Sequence, residues 1–174
     1  MPQKLMLDLC CGLKGASQAM RERGWRVLTV DIDGRFEPDV VADVRDWHYE
    51  GERPDLVWAS PPCAEFSREY FPWTRTGVAP DLSVYLAVKR VVDEVGPVYW
   101  IIENVRGAVP YFGTYTAVYY PYYLWGVFPP LGWVKIQRRH KESYPSTAKA
   151  LRSKIPYGLS LAVARAIEGQ AKLL

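Results

Sequence analysis

Short apolar runs, each ending on polar or turn-forming residues, recur through the first hundred or so residues of this sequence. Leu5 to Leu9, Arg26 to Val30, Val40 to Val41, Leu56 to Ala59 and Val98 to Ile102 are too short for buried helices and read as strands. Between them lie a glycine turn at Gly12 to Gly15 and a helix from Ser17 to Arg23 that ends at Gly24. A second helix from about Leu82 to Val95 carries Leu82, Val84, Leu86, Val88, Val91, Val92 and Val95, which can face a sheet. Strands alternating with helices predict an α/β fold with a mostly parallel central sheet and helices on both faces. A polar loop with Pro72, Gly77 and Pro80 separates the fourth strand from the second helix. From Pro110 to Trp133 the composition turns aromatic, which predicts irregular segments and a hairpin, its rings packing or offering stacking surfaces. Val134 to Arg138 reads as another strand and Leu159 to Leu173 as a final amphipathic helix.

Composition narrows the class. At 174 residues, 49% hydrophobic and 24% charged, the chain is not a disordered tail and can bury its own core, so residues 1–174 are expected to form one domain. No run of 18 uncharged apolar residues occurs, and Asp8, Cys10 and Cys11 interrupt the stretch a secretory signal would need, so a cytoplasmic protein with no membrane contact is expected. Three cysteines, two adjacent, make a poor disulfide framework and fit a reducing compartment. They also lack zinc-ligand spacing, and His48 and His140 belong to unrelated segments, so no metal is expected. Between Gly132 and Lys154 stand Lys135, Arg138, Arg139, Lys141, Lys149, Arg152 and Lys154 against Glu142 alone, either a docking surface for a polyanion or a solvated basic face.

In open α/β sheets ligands sit at the carboxyl ends of the strands. There this sequence collects Asp8 with Cys10, Cys11 and Gly12, then Asp31, Asp43, Pro62 with Cys63, and Glu103 with Asn104. The glycine turn lets backbone approach a ligand, and Asp31 can accept both hydroxyls of a ribose. The strict pyrophosphate spacing of glycines is absent. Asp43 suits either an adenine amino group or a strand-end cap. Cys63 follows a stiff Pro-Pro pair at a strand end, the placement a nucleophile needs, although most cysteines are small buried hydrophobes. Glu103 closes the next strand, and Arg138 and Arg139 follow the one after. A thiol, a carboxyl group and a guanidinium together suit attack on an electron-poor aromatic ring.

The runs Asp8-Leu9-Cys10-Cys11-Gly12-Leu13-Lys14-Gly15, Asp31-Ile32-Asp33, Asp43-Val44, Ser60-Pro61-Pro62-Cys63-Ala64-Glu65-Phe66-Ser67, Glu103-Asn104-Val105, Gln137-Arg138-Arg139-His140-Lys141 and Tyr157-Gly158-Leu159-Ser160 resemble, in order, the motifs of the cytosine-5 DNA methyltransferases. The pairing of P-P-C-x-x-F-S with E-N-V forty residues on is the specific part. The chain looks especially like the short single-domain members of phages and archaeal viruses. The resemblance implies a Rossmann-like S-adenosylmethionine-dependent methyltransferase fold and methyl transfer to carbon-5 of cytosine in DNA. It implies Cys63, Glu103 and Arg139 as catalytic. Cys10, Gly12, Leu13, Gly15, Asp31, Ile32, Asp43, Val44, Pro62 and Ser160 would contact S-adenosylmethionine. Ser67, Asn104, Arg138 and Lys141 would contact nucleic acid.

The chain departs from the family at Cys10 and Cys11, where an aromatic and a small residue are usual, at Lys14, usually glycine, and at Leu159, usually asparagine. Only the seventeen residues His140 to Pro156 separate the arginine motif from the final helix, where sequence-specific members insert a target recognition domain. Base readout needs several side chains held against a groove edge. A short or relaxed recognition site, a partner chain that supplies specificity, or a tRNA or nucleotide substrate is therefore expected. A non-catalytic cofactor- and nucleic-acid-binding subunit is the rival reading.

Overall fold

The computed structural model describes residues 3–136, 151 and 153–170. Five strands, β1 (Leu5–Leu9), β2 (Arg26–Asp31), β3 (Val40–Val41), β4 (Leu56–Ala59) and β5 (Tyr99–Asn104), pair in parallel. A hairpin of β6 (Ala117–Tyr119) and β7 (Tyr122–Val127) adds to β5 with β7 antiparallel, giving a seven-stranded sheet of order β3-β2-β1-β4-β5-β7-β6. The helices are α1 (Gln18–Glu22), α2 (Ala64–Tyr70), α3 (Ser83–Val95), α4 (Val109–Phe112) and α5 (Tyr157–Gln170). A parallel sheet with this order, covered on both faces and extended by one antiparallel strand, is the Rossmann-like methyltransferase fold.

Successive strand side chains point to opposite faces, and the two cores divide accordingly. Leu7, Leu9, Val57, Ala59 and Ile102 meet Val88, Val91 and Val92 of α3. Met6, Leu56, Trp58 and Ile101 meet Ala19 and Met20 of α1 and Leu159, Val163 and Ile167 of α5. Burying each of these large side chains contributes about 1.5–3 kcal/mol.

Three sequence expectations change, and one left open is decided. The segment after Cys63 is not all loop, because α2 forms there and buries Phe66. β5 continues through Glu103 and Asn104, which pair with Leu124 and Tyr123 of β7, so both lie within a strand rather than beyond it. Val134 to Ile136 has no regular structure, and the rest of that expected strand lies outside the described residues. Trp125 packs in the core and donates from Nε1 to the Gly113 carbonyl at 2.9 Å, so the centre of the aromatic segment is packing. No helix among the described residues is long and apolar enough to cross a membrane.

Candidate active site

At the carboxyl ends of β1, β4 and β5 a cavity of about 610 Å³ opens. That volume is within the range of small-molecule and cofactor sites. Its lining includes Cys10, Gly12, Leu13 and Gly15 from the turn after β1, Pro62, Cys63 and Ser67 from the β4–α2 junction, and Glu103 from β5.

The β1 turn is held in a demanding conformation. Cys10 and Lys14 both have left-handed backbone, at φ of 53° and 56°, which costs a non-glycine residue about 1–2 kcal/mol each, while Gly12 adopts φ of 46° freely. Hydrogen bonds hold it: Gly12 N donates to Asp31 Oδ2 at 2.8 Å, Lys14 N to the Cys11 carbonyl at 2.8 Å, and Lys14 Nζ to the Glu37 carbonyl. That last contact fixes the loop bearing Phe36, a half-buried ring that lines the cavity.

Cys63 sits at the start of α2, whose angle is set by Gly107. A Cβ on Gly107 would fall 2.2 Å from the Phe66 carbonyl oxygen, so only glycine lets α2 lie this close to the segment after β5. Asn104, 1% exposed, donates from Nδ2 to the Pro61 carbonyl at 3.0 Å and accepts from Val105 N at 2.9 Å. It thereby ties the end of β5 to the Pro-Pro segment that carries Cys63.

β4 and β5 are neighbours, with Ala59 opposite Ile102, so Glu103 lies beside Ser60. Glu103 is 9% exposed, and burial pushes its carboxyl up to about 7, opposed by a hydrogen bond from Ser60. Ser60 Oγ in turn accepts from Trp58 Nε1 at 2.9 Å. Near neutral pH this carboxyl can hold a proton and give it up, as a general acid must. Asp8, buried under the turn, is likewise raised to about 7 by burial, and Ser17 Oγ donates to it at 2.6 Å. Burial pushes the Cys10 thiol up strongly and the Cys11 thiol up to about 12, so these two stay neutral thiols.

Of the expected cofactor contacts, Cys10, Gly12, Leu13, Gly15 and Pro62 line the cavity, and the other five do not. Asp31 stands beside the turn with both oxygens engaged, Oδ1 accepting from Asp33 N at 2.9 Å and Oδ2 from Gly12 N. Ile32 is 64% exposed and Val44 is buried. Asp43 accepts from Arg45 N at 2.9 Å and pairs with the Arg45 guanidinium, which holds its carboxyl down at about 2, so it caps the turn after β3. Ser160 is buried between α5 and α1, donating to the Ala16 carbonyl at 2.5 Å and accepting from Ala19 N at 3.1 Å, which joins helices rather than closing the pocket. Among the expected nucleic-acid contacts, Ser67 lines the cavity and Asn104 braces its wall. Arg138, Arg139 and Lys141 lie outside the described residues. Sequence reasoning missed Ser60 and Phe36 in the lining, together with Pro121, Tyr122 and Lys154. Ser60 carried a signal as the first polar residue after an apolar strand, Tyr122 lay in the aromatic segment and Lys154 in the basic stretch, whereas Phe36 carried none.

The chain is 40% identical over 68 residues to a protein of Frog virus 3 (isolate Goorha) named probable DNA (cytosine-5)-methyltransferase, a match spanning 36% of this chain and 30% of the relative. No family profile matches. Among solved structures, the S. pombe Dnmt2 methyltransferase is 19% identical, with 62% of this chain and 36% of that one covered at a TM-score of 0.42. The methyltransferase EhMeth of Entamoeba histolytica is 14% identical, with 82% of this chain and 58% of that one covered at a TM-score of 0.48. The strand order is that of the Rossmann-like methyltransferase fold, and over about a third of its length the chain is similar to a probable DNA (cytosine-5)-methyltransferase.

Proposed function

We propose that this protein transfers a methyl group from S-adenosylmethionine to carbon-5 of cytosine in DNA, through a covalent bond between Cys63 and carbon-6. The observation that carries the reading is the convergence of Cys63 and Glu103, from the ends of paired strands β4 and β5, on the cavity that also takes the glycine turn after β1. The backbone of the turn after β1 and the Phe36 ring suit a nucleoside with an apolar planar base. When bound there, S-adenosylmethionine supplies an electrophilic methyl group on a sulfonium.

Carbon-5 of cytosine is too electron-poor to accept that methyl unaided. The Cys63 sulfur adds to carbon-6 while Glu103 delivers its proton to N3, so that negative charge does not build up on the ring and carbon-5 becomes nucleophilic. Methyl transfer leaves S-adenosylhomocysteine; solvent water then takes the carbon-5 proton, whose bonding electrons expel the Cys63 thiolate from carbon-6, and the N3 proton returns to Glu103. A carboxyl raised to about 7 suits both directions of transfer. The target base must leave its stack to reach the cavity. Arg139 fits a role in steadying the adduct. With only seventeen residues from His140 to Pro156, a short or relaxed recognition site accompanies this chemistry.

Labelled S-adenosylmethionine incubated with cytosine-containing DNA tests the reading. Label transfers with the wild-type protein and is abolished by Cys63→Ser; transfer that survives the substitution overturns the mechanism.

A further inference from the structure

Positions 63, 67, 70 and 71 recur at the spacing of a single helix face. On α2 and its caps this stripe runs from Cys63, through the cavity-lining Ser67, to Tyr70 and Phe71. Seven residues at about 1.5 Å each put Tyr70 about 10 Å from Cys63, the length of about three stacked nucleotides.

The stripe ends on partly exposed aromatic side chains, Tyr70 at 38% and Phe71 at 39%. Tyr70 and Phe71 meet edge to face at 5.2 Å, and Phe71 and Trp73 stack at 4.9 Å and 23°. Trp73 is 79% exposed, so one large flat face is open to solvent. The turn that holds these rings is firmly braced. Thr74 Oγ1 donates to the Arg68 carbonyl at 2.8 Å and Arg75 Nε to the Glu69 carbonyl at 2.9 Å. Thr76 N, Thr76 Oγ1 and Gly77 N all donate to the Glu69 carboxylate. Positive charge flanks the rings: Arg106 Cζ lies 5.6 Å from the Tyr70 ring centre, and among the described residues neither Arg106 nor Arg75 has a carboxylate within 4.0 Å.

We propose that Tyr70, Phe71 and Trp73 form a stacking platform for unpaired nucleotides of the strand whose target base enters the Cys63 cavity, with Arg106 and Arg75 facing its phosphates. The substrate class is thereby single-stranded or locally unpaired nucleic acid. A rigid ring with a free face stacks on any base, and nearby guanidinium groups supply the matching charge for the backbone. The proposal rests on the methyltransferase reading for the role of the cavity, but the platform can be tested without it.

The probe is a fluorescently labelled thymidine-only oligonucleotide of about 12 residues, which contains no cytosine, followed by anisotropy across a salt series. Trp73→Ala is expected to weaken binding about 5- to 100-fold with Tm and salt slope unchanged, and Trp73→Phe to restore most of it. Arg106→Gln is expected to lower the salt slope by about one phosphate contact. The proposal is overturned if Trp73→Ala binds like wild type, or if a blunt duplex of equal length binds as tightly with the same dependence on Trp73. It is also overturned if Trp73→Ala only converts a sedimenting dimer to monomer, which would make the surface a contact between two copies. Trp73-dependent binding without methyl transfer to any cytosine substrate would instead sink the enzymatic reading and leave the platform standing.

Discussion

Replacing Glu103 by Gln removes the charge that burial disfavours while keeping the shape and an oxygen that can accept from Ser60. In the folded protein the Glu103 carboxyl is raised from 4.5 to about 7. A raised acid binds its proton more tightly when folded, so its contribution to stability is complete below about pH 4.5 and is lost as pH rises through about 7. A shift of about 2.5 pH units at 1.36 kcal/mol each amounts to about 3 kcal/mol. Asp8 titrates in the same window but is common to both proteins, so it cancels in their difference. Urea unfolding of wild type and Glu103→Gln between about pH 4.5 and 8.5 should show the variant gaining about 3 kcal/mol relative to wild type, or about 6–12 °C in Tm. Methyl transfer by the same variant should be lost at every pH. A stability difference that does not change with pH would refute the claim that Glu103 is held in a site that favours its neutral acid.

Asn104→Ala leaves the Pro61 carbonyl and Val105 N–H without their side-chain partners in a buried setting, which should cost about 1–3 kcal/mol in chemical denaturation. The same variant should lower kcat while S-adenosylmethionine affinity, measured by calorimetry, holds. Trp125→Ala empties a core position and should cost about 3–5 kcal/mol, seen as a large fall in Tm; weakened nucleic-acid binding at unchanged Tm would instead place that ring on the substrate.

The parts of this molecule that were legible in the sequence are those governed by short-range pattern. β1 and β4 alternate residues between two apolar faces, which makes them short hydrophobic runs broken only at Asp8, and the polar residues that follow mark the rim of the sheet. α2 was not legible because in seven residues it buries only Phe66 and shows mostly polar side chains, so no helical period emerges. The resemblance implies cofactor contacts at Asp31, Asp43 and Ser160, and the structure engages them in the turn after β1, the turn after β3 and the junction of α1 with α5. Those partners are set by tertiary approach and leave no local signal. Phe36 entered the cavity in the same way, through a loop pinned to Lys14 across the sheet edge. The exposed Trp73 was hidden by its setting, a single ring in a segment that otherwise reads as polar loop.

The bond between Cys63 and carbon-6 of cytosine can be trapped chemically. In cytosine carrying fluorine at carbon-5, the adduct cannot lose the proton that normally allows Cys63 to leave. With S-adenosylmethionine and single-stranded DNA containing 5-fluorocytosine, intact mass spectrometry should find the protein shifted by the mass of the oligonucleotide plus a methyl group, with the modification at Cys63 and absent in Cys63→Ser. A protein that methylates ordinary cytosine yet forms no such adduct, or forms it at Cys10 or Cys11, would contradict the account.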